Sequence, residues 1–167
     1  MSDATTTPPT LGLRHLVLWV TDPEASATFY EQALGLHVKA DMCGGQGVFM
    51  ASSASATDHD LALFRAPIAE RPDPRQIGMY HTAWEVSTLA ELEATIERLH
   101  ALGAVVGLTD HGVSKSVYAK DPDGMEFEVM WEVPLDQVVD DGPRVDQLDL
   151  AATKAHYGAD TPGRGLS

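Results

Sequence analysis

Apolar and polar residues along this chain fall into two runs of elements with the same order. Leu13-Arg14-His15-Leu16-Val17-Leu18-Trp19-Val20 is rich in β-branched and aromatic residues and predicts a buried strand. Thr21-Asp22-Pro23 supplies a helix cap followed by proline at an early helical position. From Glu24 to Leu34 the apolar residues Ala27, Tyr30 and Leu34 recur at helical spacing, and Gly35 stops the helix. Strand-like runs follow at Leu36–Ala40, Gly47–Ala51 and Asp60–Phe64, separated by Gly-Gly and Ser-rich turns. The stretch Ala66–Ile77, with three prolines, predicts a linker. Beyond it the order recurs: a strand at Met79–Val86, a longer amphipathic helix at Thr88–Leu102 closed by Gly103, and strands at Ala104–Leu108, Ser114–Ala119 and Glu126–Glu132.

The displacement that lays Gly12 on Gly78 also lays His15 on His81 and Val20 on Val86. A repeat of this kind fixes the architecture before any single element does. The predicted fold class is α+β: two βαβββ modules, at about residues 11–66 and 77–133, within one domain spanning 11–133. Residues 1–10 read as a loose arm rich in Thr and Pro. Residues 134–167 form an acidic tail, with a short helix expected around Val145–Ala155, lying over the cleft mouth or a neighbouring surface.

Composition narrows the partners. The 167 residues suffice for one well-buried core, and 44% hydrophobic with 22% charged residues is ordinary for a globular chain. A formal net charge of -14 argues against nucleic acid and against an anionic membrane surface, both of which need a basic face. The single cysteine, Cys43, rules out an internal disulfide framework and suits a reducing cytoplasm, where the protein is expected. Residues 1–10 are polar and unlike a signal peptide, and no apolar run approaches the roughly 20 residues that span a bilayer.

The candidate chemistry begins with His15 and His81, which hold the same register in the two first strands. If the modules pack about a pseudo-twofold axis, both imidazoles face one cleft. One such histidine alone would read as a core residue; the repetition at equivalent places points to a shared ligand role. Asp121-Pro122-Asp123-Gly124 is a turn that launches a strand, in which Glu126 and Glu128 share a face. Spacing alone does not choose between these glutamates. Two histidines and one carboxylate make a facial triad with open coordination positions, the usual arrangement for non-haem Fe(II) oxygenases. Mn(II) is a reasonable substitute, and the ligand types leave Zn(II) and Ni(II) open. His37 is expected at the surface, His100 near a helix C-terminus where a cation suits the dipole, and Cys43 as a small packed or loop residue.

Leu13–Val20, Gly78–Val86 and Asp121–Val129 resemble the metal-binding strands of the vicinal-oxygen-chelate superfamily, which includes glyoxalases, fosfomycin-resistance proteins and extradiol ring-cleavage dioxygenases. The resemblance covers roughly Leu11 to Val133 and implies Glu128, rather than Glu126, as the third metal ligand beside His15 and His81. Within the superfamily, Thr109-Asp110-His111 followed by Val117-Tyr118, Asp121-Pro122-Asp123-Gly124 and Glu128 is similar to the extradiol dioxygenase signature. That resemblance implies that His111 and Tyr118 line the pocket and hydrogen-bond substrate or oxygen. His59-Asp60-Leu61-Ala62-Leu63 resembles the strand whose histidine is the acid–base catalyst, which implies that role for His59. Familiar extradiol enzymes are often about twice as long, the stretch from His59 to His81 is longer than expected, and Met125 stands where asparagine is common.

The expected function is therefore an Fe(II)-dependent extradiol dioxygenase, taking a small aromatic diol and O2. A glyoxalase-type isomerase or lyase is the alternative enzyme, but it usually carries a second glutamate from the last strand of the first module, where this chain offers only Asp60. An antibiotic-resistance protein, binding or transferring, is the other class; it has no need of His111 and Tyr118. Sheet edges left open by a single module pair lead us to expect a homo-oligomer, such as a homodimer.

Overall fold

The computed structural model describes residues 12–42, 44–68, 70, 77–139, 142 and 144–165. Cys43, the arm at 1–10 and most of the proline-rich linker lie outside the described residues. Among the described residues the fold is α+β, with two sheets of four and five strands and three α-helices.

In the first module β1 (Leu16–Val20) alternates cleanly: Leu18 and Val20 are buried toward the helix, while Val17 and Trp19 point the other way and are exposed. The Asp22 side chain accepts hydrogen bonds from the Glu24 and Ala25 amides, and Pro23 opens α1 (Pro23–Leu34). Gly35, at φ 70°, ends the helix in the left-handed conformation that glycine tolerates best. The strands β2 (His37–Met42), β3 (Gly47–Ala51) and β4 (Leu61–Arg65) complete a sheet ordered β1-β4-β3-β2, with β4 parallel to β1.

The second module repeats this plan with β5 (His81–Glu85), α2 (Leu89–Ala101), β6 (Val105–Asp110), β7 (Ser114–Lys120) and β8 (Glu126–Glu132). Again the first and last strands, β5 and β8, run parallel, and again the second strand carries a register irregularity, Val105/Gly107 matching Val38/Ala40. The Thr88 hydroxyl caps α2 by accepting from the Glu91 amide, and Glu91 reaches back to the Ser87 amide.

Both first strands are shorter than their apolar runs suggest. A strand needs a partner, and β4 begins only at Leu61, so the ladder to β1 starts with the Leu16 amide donating to the Asp60 carbonyl. Leu13, to which the apolar run extends, is 92% exposed. His15 therefore sits just ahead of its strand, whereas His81 opens β5 opposite Glu126.

Helix α1 joins the modules. Its Phe29 and Tyr30 rings pack against Phe127 of β8 at 6.1 and 5.9 Å between centroids. The buried Tyr30 hydroxyl donates to Asp121 at 3.1 Å, and burial together with that carboxylate raises the phenol far above its usual range. The Thr21 amide and hydroxyl both donate to Asp123, and Arg98 of α2 reaches the Ala33 carbonyl.

The acidic C-terminal segment packs on the second module. β9 (Asp146–Gln147) adds a fifth strand beside β6, and α3 (Leu150–Tyr157), capped by Asp149, sets Tyr157 on Trp131 at 5.4 Å. The helix begins later than the run around Val145–Ala155 suggests, because residues 146–147 pair with β6 instead. Beneath α3 lies Lys115, 2% exposed, ion-paired to Asp110 and 5.7 Å from the Tyr157 ring. A buried ammonium needs such a partner. Among the described residues no helix is long and apolar enough to cross a membrane.

Phe127 is 1% exposed and sits where both modules meet. Phe127→Ala is expected to cost about 3–5 kcal/mol, the range for truncating a fully buried aromatic, measured as a fall in the urea midpoint. A cost below about 1 kcal/mol would mean that the modules are held together elsewhere.

Candidate active site

The parallel pairing of β5 with β8 decides which side chains meet. His81, Glu126 and Glu128 all face away from α2, and Tyr118 of β7 stands opposite Glu128 on the same face. Phe127, Val129 and Trp131 alternate into the core behind them. His81 Nε2 lies 3.4 Å from Glu128 Oε2, and His111 Nε2 lies 3.9 Å from Oε1 of the same carboxylate. Glu128 is only 6% exposed, whereas Glu126 is half-buried, so it is Glu128 that the structure sets between the two imidazoles.

Tyr118 and His111 form a pair. Nε2 of His111 and the Tyr118 hydroxyl are 3.0 Å apart, and Nδ1 of His111 is 2.9 Å from the Arg144 carbonyl. A carbonyl only accepts, so Nδ1 carries the proton, and in the neutral ring Nε2 is left to accept from Tyr118. Burial, and then the negative charge of Glu128, push the Tyr118 phenol up to about 12, which keeps it a donor. Arg144 is anchored in turn by its guanidinium on Asp110 at 2.9 Å. Burial would raise the Asp110 carboxyl, but Lys115, the Gly112 amide and Arg144 outweigh it and hold the group below its usual range.

The first sheet carries its own cluster. His15 is exposed, and its ring lies 4.5 Å from that of His59. His59 is packed edge-on against Phe49 at 5.1 Å, and its Nδ1 is 3.0 Å from Asp58. Asp60 is fully engaged: it accepts from the Ser52 amide at 2.8 Å, from Ser55 at 2.6 Å and from Thr57 at 2.7 Å. Burial raises its carboxyl, but those three donors prevail and leave it below the usual range.

The six residues singled out in the sequence thus fall into two groups. His81, Glu128, His111 and Tyr118 converge on the second sheet, and His15 stacks with His59 on the first. Among the described residues no three His, Cys, Asp or Glu side chains are placed together to hold a metal. A divalent ion fits what the second sheet offers. The 3.4 Å between His81 Nε2 and Glu128 Oε2 is long for a hydrogen bond but near the roughly 3 Å between adjacent donors on a metal with bonds of about 2.0–2.2 Å. Among the described residues His81 Nδ1 is buried without a hydrogen-bond partner, and Nε2 is the nitrogen that faces the carboxylate.

Two contributors were missed by reading motifs. The Arg144 carbonyl is main chain and leaves no mark in the sequence. The aromatic face of Trp19, Phe64 and Phe49 beside His15 and His59 was legible in principle, because His15, Val17 and Trp19 alternate.

The Glyoxalase/Bleomycin resistance protein/Dioxygenase superfamily model matches residues 12–129, and the chain belongs to that superfamily. It is 34% identical over 117 residues to biphenyl-2,3-diol 1,2-dioxygenase 2 of Rhodococcus globerulus, covering 69% of this chain and 60% of the relative. It is 32% identical over 123 residues to biphenyl-2,3-diol 1,2-dioxygenase 3 of the same organism, covering 70% of this chain and 61% of that protein. The chain thus spans about three-fifths of the length of these curated relatives. Among solved structures, a lactoylglutathione lyase from Agrobacterium tumefaciens is similar at 26% identity and a TM-score of 0.55, covering 74% of this chain and 95% of that one.

The tether on His111 makes a spectroscopic prediction. Imidazole nitrogen NMR should show His111 as the Nδ1–H tautomer, and truncation after Pro134, which removes Arg144, should abolish that preference. A truncated chain with an unchanged His111 signature would mean that Tyr118 alone sets the tautomer.

Proposed function

We propose that this protein is an extradiol dioxygenase that opens the ring of a catechol-type diol, with His15, His81 and Glu128 as the ligands of a divalent metal. The observation that carries the reading is the convergence of His81, Glu128, His111 and Tyr118 on one sheet face. A ligand pair flanked by a hydrogen-bonded His–Tyr couple suits a substrate that presents oxygens and develops charge on them. Identity to biphenyl-2,3-diol dioxygenases supports the same class of substrate.

Fe(II), or Mn(II) in its stead, would supply Lewis acidity toward two vicinal oxygens and the redox chemistry that O2 requires. The chain's own groups divide the remaining work. Nδ1 of His59 faces the Asp58 carboxylate and so carries the proton, which leaves Nε2 as the basic nitrogen that takes a hydroxyl proton and later returns it. The Tyr118 hydroxyl, whose one proton here goes to His111 Nε2, would turn that proton toward a negative substrate oxygen. Val17, Trp19 and Phe64 offer an apolar wall for an aromatic ring.

The glyoxalase-type reading needs a second carboxylate ligand from the first module. Asp60 is the carboxylate available there, and three hydrogen bonds already occupy it.

Anaerobic reconstitution with Fe(II), followed by a catechol panel that includes biphenyl-2,3-diol, is expected to give the yellow ring-fission chromophore with matching O2 uptake. Turnover of a thiol adduct of a 2-oxoaldehyde without O2 would establish the isomerase instead. His15→Ala, His81→Ala and Glu128→Ala should each lose the metal, and Glu126→Ala should retain it by elemental analysis. His59→Phe should retain metal and turn over roughly 10²–10⁴-fold slower, the usual worth of a positioned acid–base.

A further inference from the structure

One buried charged group takes no part in the chemistry above. Lys115 sits on the core face of β7, 2% exposed, beneath α3 and 5.7 Å from the Tyr157 ring. Its neighbours along that face are Val117 and Ala119, and Trp131 stands opposite it on β8. An apolar side chain would fill such a position without the desolvation cost of an ammonium. The ammonium donates to Asp110 Oδ1 and to the Gly112 carbonyl, the residues on either side of His111. From this placement we propose that the buried Lys115–Asp110 pair is a positioning device for the site: behind the sheet it grips Arg144, and Arg144 aims the His111 ring into the site on the other side. The inference rests on the preceding section only in treating His111 and Tyr118 as groups that face substrate oxygen.

The route from the pair to the imidazole is short. Asp110 and Lys115 oppose each other across the β6–β7 hairpin, so their side chains leave the same face of the sheet. His111, the next residue, turns to the other face, where its Nε2 meets Tyr118. Oδ1 of Asp110 gathers three donors: Lys115, the Gly112 amide at 2.7 Å and the Arg144 guanidinium at 2.9 Å. Arg144 thus straddles the sheet edge just ahead of β9, its side chain held behind and its carbonyl 2.9 Å from His111 Nδ1. The His111 amide donates to the Ser114 carbonyl at 2.9 Å, so the main chain and the ring of this residue are clamped from different directions. The outcome is one tautomer and one ring orientation, with the Nε2 lone pair presented to Tyr118.

What the ammonium adds is a fixed and charged acceptor. Burial works against an ionised Asp110, and Lys115 foremost among its donors keeps the carboxylate charged and hence able to accept from Arg144. Without that grip, Arg144 has a second carboxylate within reach, Asp146 at 3.5 Å, which is itself exposed. An exposed pair of that kind holds a side chain weakly. Over Lys115 lies Tyr157, packed on Trp131, and a cover that excludes water strengthens the charged contact beneath it. The C-terminal helix in this way bears on the site without touching it. For stability alone the pair is a poor choice, since apolar replacements of buried ion pairs are often neutral or stabilising.

The test uses the full chain and separates position from stability. In Lys115→Met/Asp110→Asn both charges go together, so neither is left buried and unpaired. The double variant should fold, with the wild-type circular dichroism and metal content. Imidazole nitrogen NMR, with His111 assigned by its loss in His111→Gln, should nevertheless change from the single Nδ1–H pattern to signals averaged over both tautomers. Lys115→Met alone should change in the same way. Lys154→Met removes another ammonium that ties α3 down, on Glu93, and should leave the pattern as in wild type. On a catechol the double variant should lose roughly 10–100-fold in kcat with KM little changed, the scale of a misplaced catalytic group.

A double variant that retains the single tautomer overturns the proposal, as does a wild-type protein without one. A folded Lys115→Met chain that retains it does the same, because Asp110 would then hold Arg144 unaided. Loss of the pattern in Lys154→Met also overturns it, since docking of α3 in general would then hold the ring. Should Lys115→Met fail to fold, the double variant still decides. The nitrogen signals are read without substrate, so a wild-type protein that opens no catechol ring refutes the proposed function and leaves the positioning role to be decided by NMR.

Discussion

The rest of the structure depends on the contact that α1 makes with the start of β8. Phe127 packs against both Phe29 and Tyr30, and the Tyr30 hydroxyl reaches Asp121 in the turn that launches the strand carrying Glu128. This one interface sets the angle between the sheets, and hence which face of each is open. The aromatic rings supply buried apolar area, and the directional phenol–carboxylate bond fixes how they seat. A protein of two repeated modules needs such an asymmetric contact, because two identical units have no intrinsic reason to stop at one relative orientation.

Much of the fold was legible in the letters, because duplication writes the same grammar twice. Asp22-Pro23 with Gly35 and Thr88 with Gly103 bracket equivalent helices, and the paired strands around His15 and His81 announce themselves by their apolar runs. Strand limits were less legible, since they are set by partners: β1 starts at Leu16 because β4 starts at Leu61. The tail was least legible. Its acidity hid the fact that Asp149 is a cap, that Tyr157 covers Trp131, and that residues 146–147 extend a sheet.

For the site, alternation along β8 placed Glu126 and Glu128 on one face but gave no choice between them. The structure chooses by depth, since Glu128 is buried between His81 and His111. Register along the chain identified His15 and His81 as equivalent; in the structure His81 opens β5 while His15 sits one residue ahead of β1. Equivalence by internal symmetry is a statement about each module alone. It carries no information on whether equivalent residues approach one another, because that depends on packing between modules, written in contacts such as Tyr30–Asp121 that no local pattern displays.

The hold on His111 has a bearing on how this chain tolerates change. The group that fixes its Nδ1 is the carbonyl of residue 144, a feature every amino acid possesses. Drift in the other side chains of the segment leading to β9 leaves the acceptor in place so long as residue 144 keeps its anchor on Asp110, while an insertion or deletion there moves it away from the imidazole. The length of that segment is thus a stricter inheritance than its composition, and variation among natural versions of this protein should spare the spacing between His111 and the β9 pairing even where the letters between them diverge.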